Sequence, residues 1–238
     1  LKGLKNDYET TLDLMEEKQS ELQRNESKVE YNVDVISNQN ASLYEIVENI
    51  GQHPNIRSLN LSNLQLHDLT ALKELKDMLK QLEHLDLENN EIESLRLLFP
   101  GAANDENNEI DTVYNLRTLN LKNNHIHSLD ALNDVEIPCL EKIFLYKNKI
   151  TSIPCEDIMN EGDQRNIFNK WKYLQHVDLG RNNLEYLPKQ MFKQNKLIMS
   201  LILYENMLRH VPDGLHHVLL RELWLNGNRI STVDFGSD

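Results

Sequence analysis

The chain has 238 residues, 39% hydrophobic and 26% charged, with a net charge of −13, room for one large domain or a repeat array with a short extension. That charge argues against nucleic acid and against an anionic membrane surface, because both need clustered Lys and Arg. No apolar run approaches the roughly 20 residues that cross a bilayer, and two cysteines, Cys139 and Cys155, are too few for a disulfide framework or a four-ligand zinc site.

The chain opens Leu1-Lys2-Gly3, without an initiator Met or an apolar signal region, so the sequence reads as processed or as part of something longer. Residues 1–30 read as a helix with Leu1, Tyr8, Met15, Leu22 and Val29 at seven-residue spacing. The second seam, Leu4, Thr11, Lys18 and Asn25, is mostly polar. This leaves a weak coiled coil that would oligomerise the chain, or an amphipathic helix packed on its own domain. Residues 31–36 alternate briefly as a strand. Ser42 to Glu45 forms a capping box and Gly51 a stop, which predicts a helix with Leu43, Ile46, Val47 and Ile50 on one face. The expected organisation is an extension over 1–37, a helical cap over 38–53 and a repeat domain over 54–238.

From residue 56 onward one unit recurs, L-x-x-L-x-L-x-x-N-x-L, with conservative swaps. Its copies begin at Ile56, Leu82, Leu116, Leu140, Leu174, Ile198 and Leu220. Asn occupies the ninth position in six copies (Asn90, Asn124, Asn148, Asn182, Asn206 and Asn228), while the first copy has Leu64 there. Successive starts are 26, 34, 24, 34, 24 and 22 residues apart. Each of the two long intervals holds an excursion. Residues 99–114 read as a polar, acidic projecting loop, and residues 155–170 as a helix plus loop on the convex side. Residues 68–80 read as a convex helix with Leu69, Leu72, Leu75 and Leu79 on one face. After the seventh copy the sequence ends at Asp238 with no cap legible, so either more chain or a partner is expected over that end.

These copies resemble the leucine-rich-repeat family, over roughly residues 54 to 235. The resemblance implies an α/β solenoid with a curved parallel sheet on its concave face and helices or loops on its convex face. It also implies that each Asn is buried and bonded to backbone groups of neighbouring turns. Leu187-Pro188 to Phe192 is similar to the longer repeats of extracellular members. Val211-Pro212 to Leu215 is similar to a shorter form found in small secreted proteoglycans and in cytosolic proteins. No subfamily follows from that mixture.

If the leucines point inward, the residues between them face out on the concave sheet. The central outward row is then Asn60, Asp86, Asn120, Phe144, Asp178, Ile202 and Trp224. The next is Ser62, Glu88, Lys122, Tyr146, Gly180, Tyr204 and Asn226. Large apolar side chains on a solvent-facing sheet call for an occupant. Phe144, Tyr146, Ile202, Tyr204 and Trp224 are therefore expected to bind a protein or peptide partner, with a dip at Gly180 and an acidic rim at Asp86 and Glu88. The same rings could instead tile against one another or be covered by a terminal segment.

No phosphate-binding glycine loop, zincin motif or nucleophile elbow occurs. His125 and His127 lack a third ligand, so neither a metal, a cofactor nor an enzyme is expected. Asn25, Asn40 and Asn60 begin candidate N-glycosylation triplets. With a candidate Cys139–Cys155 disulfide they tilt the expectation toward a secreted or cell-surface recognition protein of innate-immunity or adhesion type. The alternatives are a cytosolic scaffold or regulatory subunit, and the targeting region of a larger enzyme.

Overall fold

The computed structural model describes residues 32–33, 47–48, 56–67, 69, 80–96, 98, 111–112, 115–133, 135–157, 164–189, 191–215 and 219–231. The chain divides into two compact units, Leu1–Asn32 and Val33–Asp238, and the repeats occupy the second. The expected helix over 1–30, most of the cap, the convex helix over 68–80 and most of the loop over 99–114 lie outside the described residues. Val47 and Glu48 are helical.

Among the described residues twelve short strands follow in chain order: β1 Asn32–Val33, β2 Ser58–Asn60, β3 His84–Asp86, β4 Asp111–Thr112, β5 Thr118–Asn120, β6 Val135–Glu136, β7 Lys142–Phe144, β8 Cys155–Asp157, β9 Gln164–Asn166, β10 His176–Asp178, β11 Ser200–Ile202 and β12 Glu222–Trp224. Eight of them form one sheet in the order β1-β2-β3-β5-β7-β10-β11-β12. From β2 to β12 every neighbouring pair is parallel, and the repeats are in register. Leu59, Leu85, Leu119, Ile143, Val177, Leu201 and Leu223 form one continuous row. This row points inward, because a strand sends alternate side chains to opposite faces. From Leu59 to Leu201 its members are at most 2% exposed, whereas Leu223 on the last strand is 37% exposed. Each fully buried side chain contributes roughly 1.5–3 kcal/mol, so the stack draws its stability from neighbours that no single repeat supplies for itself.

The chain leaves each of the seven repeat strands through a left-handed residue: Asn63, Asn89, Asn123, Lys147, Arg181, Glu205 and Gly227, all with φ between 51° and 71°. The N–H of each, up to Glu205, donates to a carbonyl of the next repeat, as from Lys147 to Gly180 at 2.9 Å. That turn swings the following Asn inward. The Asn182 Oδ1 accepts the Ile150 N–H at 3.1 Å, and its Nδ2 donates to the carbonyls of Leu145, Leu179 and Gly180. Asn90, Asn124, Asn148, Asn206 and Asn228 repeat the pattern. A buried amide is tolerated because both of its ends are satisfied.

In a separate two-stranded sheet, β4 and β6 pair in parallel. Where a helix plus loop is expected over 155–170, the described residues hold the antiparallel ribbon of β8 and β9 followed by a 3-10 turn at Ile167–Lys170, which Asn166 caps through the Phe168 N–H. The turn carries Phe168 and Trp171 into edge-on contact, their centroids 5.3 Å apart, and Phe192 meets Phe168 at 5.6 Å. Asn195 fastens the cluster by donating to the carbonyls of Phe168 and Trp171. Cys139 and Cys155 are thiols and are not joined as a disulfide.

Candidate functional site

The strand register brings the outward residues into rows one strand apart. Asn60, Asp86, Asn120, Phe144, Asp178, Ile202 and Trp224 lie side by side along the concave face. The following row carries Glu88, Lys122, Tyr146, Gly180 and Tyr204.

In the C-terminal half the rings touch. Phe144 lies 4.9 Å from His176, Tyr146 is 6.0 Å from Tyr204, and Tyr204 is 6.2 Å from Trp224. Tilted rings at these separations attract beyond their buried area. Phe144, Tyr146, Ile202 and Tyr204 are half-buried by this tiling, while Trp224 remains 52% exposed. Tyr173 and Tyr186 are exposed as well but lie outside the outward rows.

The expected dip at Gly180 is filled. A Cβ there would stand 2.9 Å from Tyr204 Cε1, so the glycine provides the flat seat on which the Tyr204 ring rests. Burial, and then a hydrogen bond with Tyr146, push the Tyr204 hydroxyl up to about 12. Cations sit over two of the rings: Lys122 Nζ is 4.4 Å from the Phe144 centroid and the Arg181 guanidinium 5.9 Å from that of Tyr146. Arg181 is held by a bidentate pair with Glu205 at 2.6 and 3.2 Å.

Asp178 departs from the simple alternation. It occupies an outward position yet is only 8% exposed, between Phe144 and Ile202 in its row. Its Oδ1 accepts the Gly180 N–H at 3.0 Å. Burial raises its carboxyl above the ordinary range, opposed by that hydrogen bond and by Lys122. Burial likewise lowers His84 and His176.

The N-terminal half of the face is polar and internally bonded. Asn120 Nδ2 bridges Asp86 and Glu88 at 3.0 Å to each, and Asn123 also donates to Glu88. The candidate rim carboxylates thus already hold neutral donors. Asn60 is exposed, and its Oδ1 accepts the Ser62 N–H at 2.9 Å. Asn25 and Asn40 lie outside the described residues.

One feature escaped the sequence reading. Arg57, Glu83, Arg117 and Glu141, one per repeat, form an alternating ladder with contacts of 2.6, 3.7 and 2.7 Å. The signal was the alternation of sign at the residue that follows the first, buried Leu or Ile of each copy, and only the parallel register puts those charges beside one another.

Two family models match the chain, one described as "Leucine rich repeat" over residues 172–230 and the other as "Leucine Rich repeats (2 copies)" over 114–158. The human podocan-like protein 1 is 26% identical over 206 residues, covering 85% of this chain and 35% of that protein. Mouse podocan is 28% identical over 176 residues, covering 68% of this chain and 27% of its own. The chain thus spans about a third or less of these relatives. Among solved structures, internalin C2 of Listeria monocytogenes superposes with a TM-score of 0.55 at 21% identity, covering 75% of this chain and 65% of that one. Pollen Receptor Kinase 3 gives 0.53 at 18%, covering 77% and 79%. These structural likenesses concern the fold alone. With the seven registered copies and the Asn ladder, the two family models identify residues 114–158 and 172–230 as leucine-rich repeats, with no subfamily assigned.

Proposed function

We propose that this chain is a non-catalytic recognition module, secreted or displayed at a cell surface, that binds a protein or peptide partner on its concave sheet. The supporting observation is the continuous run of rings Tyr146, Tyr204 and Trp224, which ends on a Trp that is 52% exposed. Tyr and Trp anchor interfaces because they desolvate a large area and keep few rotatable bonds. Here the neighbouring rings hold each other in place, so little side-chain freedom is lost on docking. An extracellular location draws support from the Asn25, Asn40 and Asn60 triplets and from the Leu187-Pro188 repeat form.

The test begins with a binder identified from an array of secreted and cell-surface ectodomains. Its affinity is then measured for Trp224→Ala and Tyr204→Ala beside the unaltered chain. The reading requires each variant to lose at least about tenfold, the usual cost of truncating an interfacial anchor. Unchanged affinity in both would remove the stripe as the docking surface. Expression in a secreting host with glycopeptide mapping checks the location, and absence of glycan from all three triplets counts against it.

A further inference from the structure

We propose that Asp178, with the Tyr204 ring and Ile202 beside it, forms a subsite for the ammonium group of a lysine on the partner; this deepens the recognition reading above and rests on it. The starting point is a carboxylate where the alternation of the strand calls for a solvated residue. Asp178 is 8% exposed. Of its two oxygens, Oδ1 takes the Gly180 N–H, while Oδ2 has no hydrogen-bond partner among the described residues and is not sealed from solvent. No ion pair within 4.0 Å involves Asp178 among the described residues. A buried carboxylate of this kind is costly until a cation meets it.

The surroundings specify the cation. Tyr204 leans over Gly180, which places its ring beside the carboxylate, with Ile202 as the next residue in the Asp178 row. Rings on this face already accept cations, since Lys122 covers Phe144 and Arg181 covers Tyr146. No cation covers Tyr204 or Trp224 among the described residues. A methylene stem along Ile202 and a charged head at Oδ2, flanked by the Tyr204 ring, match a long basic side chain. With Oδ1 already accepting the Gly180 N–H, the two-pronged fork of a guanidinium would have to share that oxygen. A point donor, the lysine ammonium, fits the single open oxygen better. Lys122 lies close enough to act on the carboxyl through its field, so it opposes the incoming charge.

The subsite is probed with n-butylammonium, n-butylguanidinium and n-butanol, titrated against the whole chain while the Trp224 and Tyr204 resonances are followed by NMR. n-Butylammonium is expected to saturate and to bind about tenfold more tightly than n-butanol, since a charge-assisted hydrogen bond is worth on the order of that factor. Asp178→Asn keeps an acceptor for the Gly180 N–H. It is expected to lose that advantage while leaving n-butanol unaffected, with an unchanged circular dichroism spectrum as the control. Lys122→Gln is expected to strengthen n-butylammonium binding. The subsite is refuted if n-butanol binds as well as n-butylammonium, or if Asp178→Asn binds n-butylammonium as the parent does. Tighter binding of n-butylguanidinium would overturn the lysine assignment. Should Trp224→Ala abolish partner binding while Asp178→Asn leaves n-butylammonium binding intact, the stripe stands and the subsite falls. Should Asp178→Asn behave as expected while both aromatic variants keep full partner affinity, the docking stripe is what fails.

Discussion

Replacing Asn182 tests how the solenoid is held. Its side chain is 6% exposed and makes four bonds to the backbone. In Asn182→Ala three of the four partners keep another bond: the Leu145 carbonyl retains Asn148, that of Leu179 retains Asn206, and that of Gly180 retains the Lys147 N–H. The Ile150 N–H is the group left stranded. One stranded buried donor costs about 1–3 kcal/mol, and the weakened carbonyls with the small void bring the expected loss to about 3 kcal/mol. Asn182→Asp keeps the acceptor for Ile150 but turns an oxygen toward three carbonyls, so at neutral pH it should cost more than Ala. Asn228, only half-buried in the last repeat, should cost about 1 kcal/mol as Ala. Urea unfolding at constant m reads all three. An Asn182→Ala loss below about 1 kcal/mol, or an Asp variant no worse than the Ala variant, would refute the argument.

Gly180→Ala should displace the Tyr204 ring, which a Cβ would meet at 2.9 Å. The Tyr204 hydroxyl would then titrate below about 12, nearer an ordinary phenol, as read by phenolate absorbance. Asp178→Asn should be more stable than the parent at neutral pH. Because burial raises this carboxyl in the fold, protonation favours the folded state, so the difference should shrink as pH falls through the raised carboxyl range, measured as melting temperature against pH. In the charge ladder, Arg57→Gln should cost less than about 1 kcal/mol, since an exposed pair gains little in water. Glu141→Gln, whose side chain is 5% exposed, should cost more, and salt should erase the first loss before the second in denaturation experiments.

The spacing of Leu and Asn was enough to read the repeat, its register and which side chains turn inward. That information is local, because alternation along a strand and a turn two residues after the third Leu are properties of each copy. The concave rows followed by the same logic, and they placed Trp224 on the surface. Its limits appear at particular residues. The linear pattern left Gly180 as a gap, but the neighbouring strand sends Tyr204 across it. It left Asp178 solvated, but Phe144, Ile202 and Tyr204 close around it. It also read residues 155–170 as a helix plus loop, whereas the described segments are the ribbon of β8 and β9 and the 3-10 turn at Ile167–Lys170.

What the sequence settled alone is the stacking unit, because a hydrophobic and amide period repeated at fixed spacing admits one packing solution. What the tertiary structure decided is the character of the face. Residues far apart in the chain become neighbours only when the strands align, and only then do the Arg57 to Glu141 charges alternate and the rings support one another. The exposure and charge state of a side chain depend on what the next strand places beside it, and no local pattern encodes that.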